Sequence, residues 1–86
     1  MQRTTIIEQL QRYIAQDILR GKDIGLDETT PLLEWGIITS LQMIKLLSFI
    51  SQEFDVDIPP DKLIAEYFTT ISSIASLVVE QMFARS

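Results

Sequence analysis

Hydrophobic positions along the chain recur with helical spacing in three stretches. Ile6, Leu10, Tyr13, Ile14 and Ile18 follow one another at three- and four-residue steps, while Glu8, Gln11, Arg12 and Gln16 fall mainly on other sides. Thr5 and Glu8 have the spacing of a capping box, so a first helix is predicted from Thr5 to near Arg20, with Gly21 as its C-terminal cap. A second helix is predicted from Ser40 to Phe54, opened by a capping box between Thr39 and Gln42. At about 100° per residue, Met43, Ile44, Leu46, Leu47, Ile50 and Phe54 share one broad arc of it, and Lys45, Ser48 and Gln52 centre the other. A last helix should follow the cap residues Thr69 and Thr70, with Ile71, Ile74, Ala75, Val78 and Met82 as its stripe to about Phe83.

The connections carry their own pattern. Residues 21–38 hold three glycines, a proline and Asp27-Glu28 without a sustained period, and loops of that length in a small domain are usually functional. The second half of this loop, with Leu32, Leu33, Trp35, Ile37 and Ile38, is too apolar to lie free in water, so it is expected to fold back onto the helices. Trp35 is expected to plug the core, with a surface contact for a partner as the alternative, and Gly36 to mark a tight turn. Pro59-Pro60 stops the second helix, and a short third helix is predicted from Pro60 to Tyr67, with Val56 and Ile58 tethering the turn before it. The fold class is therefore all-α: a four-helix bundle with a long loop between helices I and II and a short helix III, in one domain spanning residues 1–86.

Composition narrows what such a domain can do. The chain has no cysteine and no histidine, which removes disulfides, thiolate nucleophiles, imidazole bases and the usual zinc ligand sets. A formal charge of −5, with acidic residues in both halves, is the wrong sign for a protein that tracks nucleic-acid phosphates. The first residues lack the apolar core of a signal peptide and no run reaches membrane-spanning length, so a cytoplasmic protein is expected. Glu53, Asp55, Asp57 and Asp61 surround a helix end and a proline turn, where acids serve solvation. They lack the glycine turn and closing glutamate of a calcium loop, and no metal is implied.

Ser40 is the remaining chemical candidate. A helix start offers free amide hydrogens and the positive end of the dipole, which favour an attached phosphate, but a serine there is also an ordinary helix-start residue. As a nucleophile it would need a base, and Lys45 lies more than one helical turn away. A serine modified by another enzyme needs none. Leu41 falls on the polar arc of its helix and Ile44 at the edge, as partner contacts or as ordinary exposed apolar residues.

The words TPLLEWGIITSL from Thr30, Phe54-Asp55-Val56-Asp57-Ile58-Pro59, and Phe68-Thr69-Thr70-Ile71-Ser72-Ser73-Ile74-Ala75 resemble the acyl and peptidyl carrier protein family over nearly the whole chain. That resemblance implies a covalent 4′-phosphopantetheine on Ser40, received from coenzyme A through a phosphopantetheinyl transferase, whose thiol holds cargo as a thioester. Thr39 stands where the family most often has Asp, and Gln42 and Lys45 replace the acidic start of its second helix, which fits fatty-acid synthesis partners less well.

LLEWGI and the missing Asp are similar to free-standing (type II) prolyl and pyrrolyl peptidyl carriers of antibiotic and other nonribosomal peptide pathways. The partners this implies are a proline-specific adenylating enzyme and a flavin-dependent dehydrogenase that oxidises the tethered ring to pyrrole. In the same resemblance Thr39, Leu41, Ile44, Lys45, Ser48, Tyr67 and Phe68 form the face shown to those enzymes, on a monomer without catalytic activity. The alternatives are a fatty-acid or polyketide-type acyl carrier, an unmodified helical adaptor binding through Leu41 and Ile44, and, more distantly, a hydrolase using Ser40.

Overall fold

A computed structural model of the protein describes residues 2–22 and 24–85, the side chains of Ala84 and Arg85 apart. Helix α1 runs Arg3–Tyr13 and continues as one π-helical segment, Ile14–Ile18. Helix α2 is Ser40–Phe54, and helix α3 is Ile71–Arg85. Between α2 and α3 lie two 3₁₀ turns, Pro60–Lys62 and Ala65–Phe68. The described residues are helical or irregular, with no strand among them. The all-α fold stands, with three full helices and a broken segment in place of the predicted helix III.

The core forms where the three apolar stripes meet. Ile6, Leu10 and Ile14 of the first helical run, Leu46 and Ile50 of α2, and Ile71, Ile74 and Val78 of α3 are all fully buried. Burying each such side chain stabilises the fold by about 1.5–3 kcal/mol before entropic costs. Tyr13 closes one flank by stacking on Phe49, with ring centroids 4.2 Å apart. Phe49 in turn meets the edge of Phe54 at 5.9 Å.

Three sequence expectations change. Helix α1 begins at Arg3, not Thr5, with the carbonyl of Gln2 accepting the Ile6 amide at 3.1 Å. Its start is held from outside: the Arg3 guanidinium donates to the Ser72 hydroxyl and carbonyl and to the Ser76 hydroxyl of α3. The predicted helix III breaks because Leu63 (φ −86°, ψ 59°) and Ile64 (φ −122°, ψ 152°) leave helical geometry between the two turns. Trp35 does not plug the core, since 58% of it is exposed. It sits in a turn where its amide bonds to Pro31 O and the Gly36 amide to Leu33 O, and such a turn cannot aim every consecutive side chain inward. Leu32, Ile37 and Ile38 take the buried positions instead.

The long loop is fixed at both sides of that turn. The Leu32 amide donates to Thr69 O at 2.8 Å, and the Ser72 amide to Glu28 O at 3.0 Å, so the loop is tied to the start of α3. Gly36 takes φ +70°, the left-handed geometry expected of a turn glycine. The Ile37 amide then returns to Leu32 O at 2.9 Å, which sets the direction in which the chain enters α2.

Candidate functional site

Ser40 is the first residue of α2 and is exposed. The anchored Ile37-Ile38 pair delivers Thr39 in extended geometry (φ −101°, ψ 179°), after which the capping box closes. The Gln42 carboxamide oxygen accepts from the Thr39 amide at 2.9 Å and from its hydroxyl at 3.0 Å. The Met43 amide donates to Thr39 O at 2.8 Å, the first bond of the helix proper. Ser40 is thereby held as an exposed residue on a capped helix start, where unpaired amides and the dipole favour an anionic group.

An apolar cavity of about 590 Å³ opens beside it. Thr39 and Ser40 stand at its edge, Met43 and Leu47 form its α2 wall, and Leu63 and Ile64 form the opposite wall. The spacing of positions 40, 43 and 47 shows why: on a helix these three share a face. That spacing was present in the sequence but was absorbed into the core stripe. Leu63 and Ile64 could not be placed before the break in the segment was known.

The remaining candidates are not all brought together. Leu41 and Ile44 lie on the outer face of α2, 65% and 62% exposed. Lys45 and Ser48 are also exposed but border a different groove, against Tyr13, Asp17 and Phe49. Tyr67 is half-buried under Lys62, whose Nζ lies 5.2 Å from the ring centroid. Phe68, expected on the partner face, is a core residue with 1% exposure. The 3₁₀ turn sends Tyr67 toward Lys62 and Phe68 into the interior, where it lines the cavity beside Ser40 in place of an outer contact.

Among the described residues lining the cavity beside Ser40 there is no carboxylate or amine. Lys45 is five residues on and about 140° around the helix from Ser40. Among the described residues no three acidic side chains gather into a metal-binding group. Only apolar residues, Thr39 and Ser40 line the cavity. What the arrangement does offer is an accessible hydroxyl on a fixed helix start, which suits an alcohol to be esterified by another protein.

These features, an all-helical domain presenting one such serine, define a carrier protein of the phosphopantetheine-attachment type. The description "Phosphopantetheine attachment site" belongs to the family model matching residues 8–78, and the chain belongs to that family. It is 36% identical over 70 residues to a probable acyl carrier protein, PigG, of Serratia sp. (strain ATCC 39006), covering 81% of this chain and 80% of that one. A solved structure called "Crystal structure of FAD-dependent dehydrogenase" contains a chain that superposes with a TM-score of 0.76 at 39% identity, covering 80% of this chain and 97% of that chain. No described helix is long and apolar enough to cross a membrane.

The residues fit the family's cofactor. Ser40, exposed at the start of α2, would supply the ester oxygen, the first-turn amides would face the phosphate, and Thr39 would add no negative charge against it. When attached, 4′-phosphopantetheine supplies a thiol on a long arm, which carries acyl groups as thioesters.

Proposed function

We propose that residues 1–86 form one non-catalytic carrier domain, modified at Ser40 and loaded there with an aminoacyl group, L-proline, that a flavin enzyme oxidises to pyrrole. The observation that carries the reading is the exposed Ser40 hydroxyl on the capped start of α2, in a chain with neither His nor Cys. In the modification the serine oxygen bonds to the pantetheine-side phosphorus of coenzyme A. The pyrophosphate link breaks, adenosine 3′,5′-bisphosphate leaves, and the hydroxyl proton passes to the transferase. In this reading the carrier works in the cytoplasm, where it draws on coenzyme A, as a monomer meeting its enzymes in turn.

Support for the flavin partner comes from the dehydrogenase structure. The coverage makes its matching chain only about 70 residues long, carrier-sized and far below what a flavin-binding fold with a substrate site needs. Leu41 and Ile44 on the outer face of α2, with Thr39, Lys45, Ser48 and Tyr67 around them, are the contacts we assign to the partner enzymes. The name of the Serratia protein favours a second reading, an acyl group of fatty-acid or polyketide type in place of the amino acid.

The test is intact mass after incubation with coenzyme A and a broad-specificity phosphopantetheinyl transferase. Wild type should gain one phosphopantetheinyl group and Ser40→Ala none. No gain on wild type, with a transferase active on another carrier, would leave an unmodified adaptor as the better reading. Loading of the modified chain with proline by an adenylating enzyme then separates the two cargo readings.

A further inference from the structure

The cavity beside Ser40 has one wall on α2 and the other on a strap, residues 63–65, in which Leu63 and Ile64 belong to no helix and Ala65 opens the second 3₁₀ turn. Backbone hydrogen bonds around the strap close only local turns: Lys62 N–H to Pro59 O at 2.9 Å, Leu63 N–H to Pro60 O at 3.2 Å, and Tyr67 N–H to Ile64 O at 3.1 Å. Leu63 and Ile64 are 43% and 45% exposed, so the middle of the strap is only partly packed, unlike the fully buried core.

Its ends are fixed differently. At one end Phe68 is sunk in the core. At the other end the Lys62 Nζ donates to Tyr67 Oη at 3.4 Å, lies over the Tyr67 ring, and stands 3.6 Å from Glu80 Oε1 of α3. One ammonium thus ties the first 3₁₀ turn to the second and both to α3. The Tyr67 hydroxyl, then the Glu80 carboxylate, hold the Lys62 pKa above its ordinary value, so the tie is cationic near neutrality. Each contact is long and partly solvated, and contacts of that kind are individually weak. A tie made of them opens more readily than the core at the other end.

We propose that Lys62 is a latch on the strap: while it bridges Tyr67 and Glu80, Leu63–Ala65 stands against the cavity, and its release lets the strap lift from Met43 and Leu47. The inference concerns the cavity wall and not the serine, so it stands apart from the carrier reading and is tested on the unmodified chain.

The chain contains no cysteine, so a Met43→Cys substitution places a single thiol on the α2 wall without background. Its rate of reaction with a water-soluble thiol reagent reads the opening of the strap. Adding Lys62→Met, which keeps the apolar stem but removes the charge, should raise that rate by about fivefold or more, and Lys62→Arg should hold it within about twofold of the parent. A thiol placed by Ala75→Cys, buried on α3 and away from the cavity, should not respond. An unchanged rate at the Met43→Cys thiol overturns the latch, as does an equal rise at both thiols, which would mean general loosening. If Lys62→Met does not fold, Glu80→Gln removes one partner instead and is read by the same two outcomes.

Discussion

The carboxamide oxygen of Gln42 accepts the backbone N–H of Thr39 at 2.9 Å, so the residue before Ser40 is fixed by the residue two after it. The serine sits inside a closed three-residue step whose upstream side is anchored by buried Ile37 and Ile38. A flexible loop could present a hydroxyl, but a capped helix start presents it in one orientation. This explains how Thr39 can occupy the position before the serine without a carboxylate: capping needs an oxygen and an extended backbone there, and threonine has both.

Thr39→Ala should accordingly destabilise the domain by about 1 kcal/mol, the usual loss for a helix cap. Ser40→Ala, one residue on and exposed, should stay within about 0.5 kcal/mol of wild type. Urea denaturation of the two variants measures the difference. Equal losses would mean that Ser40 shares the capping role.

The start of α2 was readable because cap, stripe and stop signals agreed there, and Ser40–Phe54 appears with the expected bounds. The Thr70 cap was readable for the same reason, and its hydroxyl accepts the Ser73 amide at 3.0 Å. What escaped the sequence depends on distant contacts. The α1 start is moved by Arg3 reaching Ser72 and Ser76, more than sixty residues away in the chain. The break at Leu63-Ile64 carries no glycine or proline, and the segment is held instead by Lys62 and Phe68. Burial preference alone misplaced Trp35, because the turn through Gly36 had already assigned the inward positions to Leu32 and Ile37. Of the local geometry, the helix start at Ser40 and the off-core placement of Leu41 were legible, whereas the strap wall of the cavity was not.

A buried leucine and an exposed tryptophan should respond very differently to truncation. Leu46 has no exposed surface, and Leu46→Ala should cost about 2–5 kcal/mol through lost burial and the cavity left behind. Trp35→Ala, by contrast, should cost within about 0.5 kcal/mol despite removing the largest side chain. Thermal melts of both variants check this. A multi-kcal loss at Trp35 would restore it to the core.

Leu41→Asp tests the outer face of α2. With Leu41 65% exposed, the variant should melt like wild type, within about 0.5 kcal/mol. Under the carrier reading it should lower the rate of loading by the adenylating enzyme about tenfold or more, as a charge placed in an apolar contact does. Modification-matched samples keep attachment and loading separate, and unchanged loading would remove Leu41 from the interface.

The loop before the site has a pH-dependent fastening at Asp27. Its carboxylate oxygen accepts the Thr29 hydroxyl and amide, both at 2.8 Å, and the Thr30 hydroxyl at 3.2 Å, while the buried Thr30 hydroxyl accepts the Asp27 amide at 2.8 Å. The Thr29 hydroxyl, then the Thr29 amide, with Thr30 adding, hold the Asp27 pKa below its ordinary value of 3.8. A carboxylate held low in the folded state stabilises the fold when ionised. That contribution is complete above the unfolded value and is lost as pH falls through the lower folded value. Asp27→Asn keeps an acceptor but no charge, so wild type should melt above the variant at neutral pH. The gap should close as pH falls below 3.8. Melting curves of the pair across that range decide it, and a gap that persists unchanged into the acid limit would assign the difference to shape instead of charge.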